Sequence, residues 1–314
     1  MSKFKIDFNK SLIKVLIVYA AIFVAGIIVT CIFGVNLDIN FRGGTRISYS
    51  YTGDIADSDI EASLEDIIDG SFKVDKSTSL AGDTKTFSVS LIGSKSLSAE
   101  VQENMLSALQ EDFKDNEIDI YDSNSVSPTI AGTFFAKSLV AVLITAVLVI
   151  IYVGIRFSKI GGVSATLTAL CALVFDVLIS FFICVFFRLQ IDSNYIAVVL
   201  TILGYSLNDT IVIYDRVREN RKLYPDMEIS ELVNMSISKV SIRNVVTSLT
   251  TFLAIMTIVI VSEIYGLTSL RTFAIPMAFG VVSGAVSSLF IAGPLWVIWK
   301  NYKAKKGTKK SKIK

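Results

Sequence analysis

Six long apolar stretches, at approximately 15–35, 134–155, 160–187, 195–214, 245–262 and 273–299, dominate the chain. Several approach or exceed the roughly 20 residues that an α-helix needs to cross about 30 Å of hydrocarbon. Between the first and second lies the chain's only long polar region, 36–130. Within it, apolar and polar positions alternate at Ile47, Tyr49, Tyr51 and again at Phe87, Val89, Leu91, which predicts two half-buried strands. Ser58-Asp59-Ile60-Glu61 reads as a capping box opening a helix with Ile60, Leu64, Ile67 and Ile68 on one face. A second helix turns Met105, Leu106, Leu109 and Phe113 inward, a short strand sits near 72–74, and another falls at Ile118 and Ile120. The resulting order, strand–helix–strand–strand–helix–strand, is the ferredoxin-like pattern. The fold class expected is a polytopic α-helical membrane protein of six transmembrane helices, with a small α+β ferredoxin-like external domain between helices 1 and 2.

Composition agrees. Of 314 residues, 52% are hydrophobic and 18% charged, against roughly 25% charge in a typical soluble chain. A soluble enzyme, a disordered chain and a disulfide-stapled scaffold are excluded. There is no histidine, so the commonest metal ligand and neutral-pH general base are missing. Cys31, Cys171 and Cys184 all fall inside apolar runs without a spaced cluster, which indicates neither zinc nor a disulfide framework.

Charge sets the sidedness. Lys3, Lys5, Lys10 and Lys14 precede the first span, Arg156 and Lys159 link the second to the third, and Arg216, Arg218, Arg221 and Lys222 follow the fourth. Residues 300–314 hold eight lysines and no acid. Alternating six spans puts all four groups on one face, expected to be cytoplasmic, with both termini there. The segment 36–130 falls on the opposite face and carries 18 acidic against 7 basic residues. The first span is longer than a signal-peptide core of about 7–15 residues and lacks a small-residue cleavage site, so it reads as a retained anchor. The expected divisions are 1–35 (tail and first helix), 36–130 (external domain), 131–299 (five-helix bundle with a cytoplasmic loop at 215–244) and 300–314 (basic tail). Within that loop, 225–239 reads as an amphipathic helix along the membrane face, with Ile229, Leu232, Val233 and Ser236 on one side.

Two aspartates lie inside the apolar runs, Asp176 and Asp209. An aspartate near the centre of a span costs roughly 2.5–3.5 kcal/mol, so each must pair, line a wet cavity or carry a proton. Asp209 has Asn208 and Thr210 beside it and Tyr205 a turn back, and sits about 9 Å beneath the edge marked by Asp215 at 1.5 Å per residue. Arg243, at the start of the fifth span, is the best candidate partner; an arginine keeps its proton and would switch Asp209 between paired and protonated states. Polar groups between membrane helices often do no more than hold the bundle together, and for Asp176 that reading stands beside the functional one. A proton crossing the membrane yields about 2.3 kcal/mol per 100 mV, enough to drive conformational work, and no P-loop offers nucleotide energy instead. Gly280 and Gly284 form a G-x-x-x-G that reads as helix packing.

These residues resemble the SecF subunits of the bacterial SecD–SecF protein-export family. Asn40-Phe41-Arg42-Gly43-Gly44-Thr45 is similar to the family's D-F-x-G-G-T lead into the external domain, with Asn40 in place of the acid. Ser127-Pro128-Thr129-Ile130 is similar to its return motif, although Ala131 and Thr133 replace the usual Gly and Glu. Phe175-Asp176 stands where the family often has His-Asp. The most specific stretch runs from Leu203-Gly204-Tyr205 through Asn208-Asp209-Thr210 to Tyr214-Asp215-Arg216, with Arg243 in a following S-x-R-N context. The resemblance implies an ion-coupling set of Asp209, Arg243, Asn208 and Asp176, and motif positions at Phe41, Gly43, Gly44, Pro128, Gly204, Asp215 and Arg216. It implies a non-enzymatic subunit without cofactor, metal or nucleic-acid partner, set in the plasma membrane lipid. Such a subunit uses proton or sodium motive force to promote translocation and outer-face release of unfolded preproteins, with SecD and the SecY-E-G translocon as partners. Two other readings stay open: an exporter of lipids or small molecules of the resistance-nodulation-division type, and a purely structural scaffold that leaves Asp209 unneeded.

Overall fold

The computed structural model describes residues 7–65, 67–68, 72–78, 85–92, 97–265 and 267–311; Lys3 and Lys5, part of the expected basic tail, lie outside them. Among the described residues, six helices are long and apolar enough to span a membrane. They are α1 (Phe8–Phe33), α5 (Pro128–Arg156), α6 (Gly162–Phe186), α7 (Ser193–Leu223), α8 (Ile229–Ile264) and a composite last span. That last span joins α9 (Thr268–Ser287) to α10 (Gly293–Ser311) through a π-helical turn, Ser288–Ala292. About half or more of the apolar window is buried in α6, α7 and the last span, against 11% in α1 and α5 and 17% in α8. The first three are therefore the centre of the bundle, and the others present most of their apolar surface outward, as a lipid solvent permits.

The external domain holds α2 (Ile39–Arg42), β1 (Gly44–Tyr51), α3 (Asp57–Glu65), β2 (Phe72–Thr78), β3 (Lys85–Ile92), α4 (Ala99–Asp112) and β4 (Asp119–Val126). The sheet is antiparallel throughout in the order β2-β3-β1-β4, the arrangement the alternating pattern predicts. Tyr49 stands opposite Phe87 and Ile47 opposite Val89. Their inward side chains close over Ile60, Leu64, Met105 and Leu109, all fully buried. Leu106 and Phe113 pack at the margin of that core and Ile120 is exposed, so the inward face is narrower than the periodicity implies. The opposite face of the sheet is polar, with Ser48 bonded to Ser88 at 2.9 Å and Arg46 to Ser90 at 3.1 Å. It turns toward the ends of the spans nearest the domain.

Two local expectations are corrected. The capping box at Ser58 is not formed: α3 begins at Asp57, two residues before a Ser58 cap would start it, the Ala56 carbonyl accepts from the backbone N–H groups of Asp59 (3.2 Å) and Ile60 (3.3 Å), and the Ser58 hydroxyl donates to the Asp59 carboxylate. Asp57 and Asp59 supply the negative charge that a helix start favours. Nor is 225–239 a separate helix along the membrane face. Nothing from Ile229 onward breaks a helix, so α8 runs unbroken into the fifth span and the expected loop at 215–244 shrinks to 224–228. Its Leu232, Val233, Ser236 and Ile237 are buried in the bundle. Ser236 accepts from the Asn220 amide at 2.7 Å, and the Asn234 side chain accepts from the Phe8 N–H at 2.9 Å.

Glycines allow the closest crossings. A side chain on Gly280 would collide with Ile202, and a Cβ on Gly284 would lie 3.0 Å from that of Ser206, so the G-x-x-x-G seats the last span on α7.

Candidate functional site

The two motifs flanking the external domain meet. Phe41 is buried between Phe134 and Phe135, at ring distances of 5.4 and 5.9 Å. Gly43 has φ +79°, and a Cβ there would stand 2.8 Å from the Pro128 Cα. Gly44 opens β1 opposite Val126, so the chain enters and leaves the domain side by side. Pro128 occupies the first turn of α5, where its missing N–H costs nothing, and Ser127 caps that helix at 3.4 Å. These motif positions form one packed junction where the chain enters and leaves the domain.

Beside it, the end of the bundle nearest the domain grips the sheet. Asp38 is buried and forms an ion pair with Arg46 of β1, which also donates to Gln190 at 2.9 Å. Asp38 N–H donates to the Ile191 carbonyl at 3.0 Å and Ile191 N–H to that of Asn36 at 2.8 Å. Asp192, the cap of α7, accepts from the Asn194 and Tyr195 N–H groups and from Thr272. Burial pushes its carboxyl above the ordinary range, against the pull of those hydrogen bonds. A polar cavity of about 380 Å³ remains between sheet and bundle, lined by Arg46, Asp75, Ser88, Arg188, Asp192 and Arg271 among others. Asp38 and Asp192 were missed by the sequence reading because they lie in segments with no periodicity, and Arg46 because the alternation of β1 marks it only as a position on the polar face of the strand.

Inside the bundle the two aspartates occupy different surroundings. Asp209 is 3% exposed and accepts from Ser248 of α8 at 3.3 Å. Tyr205 reaches Ser248 and Thr251 at 3.4 and 3.2 Å, and Asn244, one turn from Ser248, buries an amide nitrogen with no hydrogen-bond partner among the described residues. The expected Asp209–Arg243 ion pair is not formed among the described residues. Five residues along α8 turn Arg243 well away from the Ser248 direction; it is exposed and lines an open cavity of about 500 Å³ with Arg156, Asp215 and Arg218, while remaining within electrostatic range of Asp209. Asp215 is bridged there by Arg156 and Arg218, each at 3.0 Å, and Arg216 pairs with Glu219 at 2.6 Å. Asn208 and Gly204 are exposed on the outer face of α7, away from the carboxylate they neighbour in sequence.

Asp176 is wholly buried and accepts three serine hydroxyls: Ser206 at 2.6 Å, Ser283 at 2.6 Å and Ser287 at 2.8 Å. Tyr19 of α1 meets the Ser283 hydroxyl at 2.9 Å. A related seam joins Thr210 to Ser288 at 3.0 Å and Tyr214 to Thr168 at 2.7 Å and to the Ala292 carbonyl at 3.2 Å, within the π turn. Serines 283 and 287, four residues apart, were the available signal for this cage, though serine in membrane helices is common enough to pass for packing.

Comparison with known proteins places this architecture. The family model "Protein export membrane protein SecD/SecF, C-terminal" matches residues 105–302. The chain is 34% identical to the protein translocase subunit SecF of Alicyclobacillus acidocaldarius, over 93% of this chain and 92% of that one. It is 33% identical to the protein translocase subunit SecDF of Bacillus subtilis, over 96% of this chain but 39% of that one. The crystal structure of SecDF from Thermus thermophilus, described as a translocon-associated membrane protein, superposes with a TM-score of 0.80 at 28% identity, covering 96% of this chain and 39% of that one. The chain thus spans about two fifths of the SecDF relatives and nearly the whole of a separate SecF. On this agreement of sequence and architecture, the chain belongs to the SecD/SecF family of protein export membrane proteins.

Proposed function

We propose that the chain is an auxiliary subunit of the Sec protein translocase that turns proton or sodium motive force into movement of its external domain, promoting translocation and release of unfolded preproteins on the outer face. The observation that carries this reading is Asp209: a carboxylate in the fourth span, almost fully buried, with one hydroxyl donor and an unpaired amide nearby. A carboxylate has about four acceptor sites, so this one is left under-coordinated where a mobile cation would complete it, with Arg243 at the cytoplasmic mouth setting the local field. Basic loops and termini on the face opposite the acidic domain support a cytoplasmic placement of both ends.

A SecD-like bundle completes the assembly in this reading. Next to Asp209, α7 turns outward Ala197, Thr201, Gly204 and Asn208, and α8 turns outward Arg243, Thr247, Thr250 and Ala254. Such a small and polar face suits contact with other helices better than lipid, and the SecDF relatives are two and a half times as long because further chain accompanies the matched part. SecY-E-G is the translocon served.

The test is Asp209→Asn in vesicles carrying the full translocase. Export of a reporter preprotein is expected to lose its stimulation by an imposed ion gradient, while ATP-driven export and recovery of the complex in mild detergent stay unchanged. Gradient-stimulated export at the wild-type rate would refute the assignment. Arg243→Lys, which replaces a planar fork by a point charge, is expected to alter the pH dependence of the same stimulation.

A further inference from the structure

The three-serine cage around Asp176 is chemically incomplete as a static pin. Asp176 is fourteen residues into α6, about 21 Å along the helix at 1.5 Å per residue, close to the middle of the hydrocarbon. Oδ1 accepts from Ser283 and Oδ2 from Ser206 and Ser287. Hydrogen bonds of 2.6 Å from hydroxyls are those an ionised carboxylate makes. Yet among the described residues no lysine or arginine pairs with it. The first span contributes Tyr19, the fourth and last contribute hydroxyls, and the ionisable groups of the second, Lys137, Tyr152 and Arg156, are exposed. Asp209, a turn from Ser206, has its own partner in Ser248. An anion mid-membrane with no counter-charge is costly. The oxygens are too closely spaced to admit a metal ion without separating, whereas a proton needs no room.

We propose that Asp176 is a second proton-binding site, read by Tyr19 through Ser283. With the carboxylate ionised, Ser283 donates to Oδ1 and Tyr19 donates to Ser283. When a proton from bulk water binds Oδ1, the new acid O–H donates to the Ser283 oxygen, and the Ser283 hydrogen turns to the Tyr19 oxygen. Tyr19 then donates to the Ser283 carbonyl, 3.2 Å away. Ser287 turns from Oδ2 to the Gly284 carbonyl, also at 3.2 Å. Every hydrogen keeps an acceptor in both states, which a purely structural pin does not require. The switch lies between α6, α7 and the last span on one side and, on the other, α1, the helix that leads directly into the external domain. The purpose of the switch rests on the ion-coupled reading above; the protonation does not.

The test is infrared difference spectroscopy of the full chain in lipid vesicles across a pH titration. A carboxylic acid C=O band is expected to grow on acidification and shift in heavy water. It should vanish in Asp176→Asn, persist in Asp209→Asn, and move to higher frequency in Ser283→Ala and in Ser206→Ala, as the acid loses a hydrogen-bond partner. Tyr19→Phe should shift it as well. A band unchanged by pH, or no acid band that depends on Asp176, would overturn the proposal; should Asp176→Asn not fold, indifference of the band to both serine variants would do so. The readout does not involve export, so an Asp209 variant that exports normally leaves this inference standing, and the converse holds.

Discussion

Tyr49 and Asp192 show how much a single buried polar atom decides outside the membrane. The Tyr49 hydroxyl is enclosed in the domain core without a hydrogen-bond partner among the described residues, and burial pushes its ionisation upward. Tyr49→Phe removes the orphaned hydroxyl and keeps the ring stacked on Phe87, so thermal melts should show a chain as stable or more stable by up to about 1 kcal/mol. Asp192 holds its proton more tightly folded than unfolded, where an aspartate titrates at about 3.9. The folded state therefore binds more protons just above that value, and stability falls as pH rises from there through the folded titration point. Asp192→Asn keeps a cap acceptor for α7 and should flatten that fall, measured as the difference between melting temperatures at about pH 4 and about pH 7.

At the scale of elements, close approach is what distinguishes these helices from six interchangeable spans. Gly280 admits Ile202, and the serines at 206, 283 and 287 converge only because α7 and α9 cross there. Gly280→Val should separate the two helices and lower the melting temperature of the bundle, with an order-of-magnitude cost of about 1–3 kcal/mol from overpacking; an unchanged melt would mean the crossing is looser than the contact implies. The π turn after Ser287 redirects Ser288 and Ala292 toward Thr210 and Tyr214, in keeping with the tendency of such turns to occur at functional sites. The unbroken α8 joins the basic end of the bundle to the Asp209 region in a single rod.

For the whole molecule, the domain is attached at two places: the Gly43–Pro128 junction, and the Arg46 contacts to Asp38 and Gln190. The cavity between the sheet and the bundle is the space a tilt of the domain would close or open. Joining Ser88→Cys to Ser269→Cys across it with a short bifunctional linker, in a background where Cys31, Cys171 and Cys184 are alanine, should abolish late-stage preprotein release. Normal release from the tethered chain would show that the domain does not need to move.

The sequence alone determined what periodicity and burial cost encode: six spans, the strand order of a ferredoxin-like domain, two carboxylates too expensive to face lipid, and motifs specific enough to indicate a family. Those signals are local, carried by residues within a few turns of one another. Tertiary structure decided the partners. Asp209 meets Ser248 while Arg243, near in sequence logic, turns outward; Asp176, bereft of a neighbouring histidine, instead gathers hydroxyls from α7 and α9, up to 111 positions away along the chain. A hydrogen bond between distant helices depends on crossing geometry and on the rotation of each helix about its axis. Neither leaves a pattern in a single segment, so the chemistry of each acid became legible only once the helices were packed.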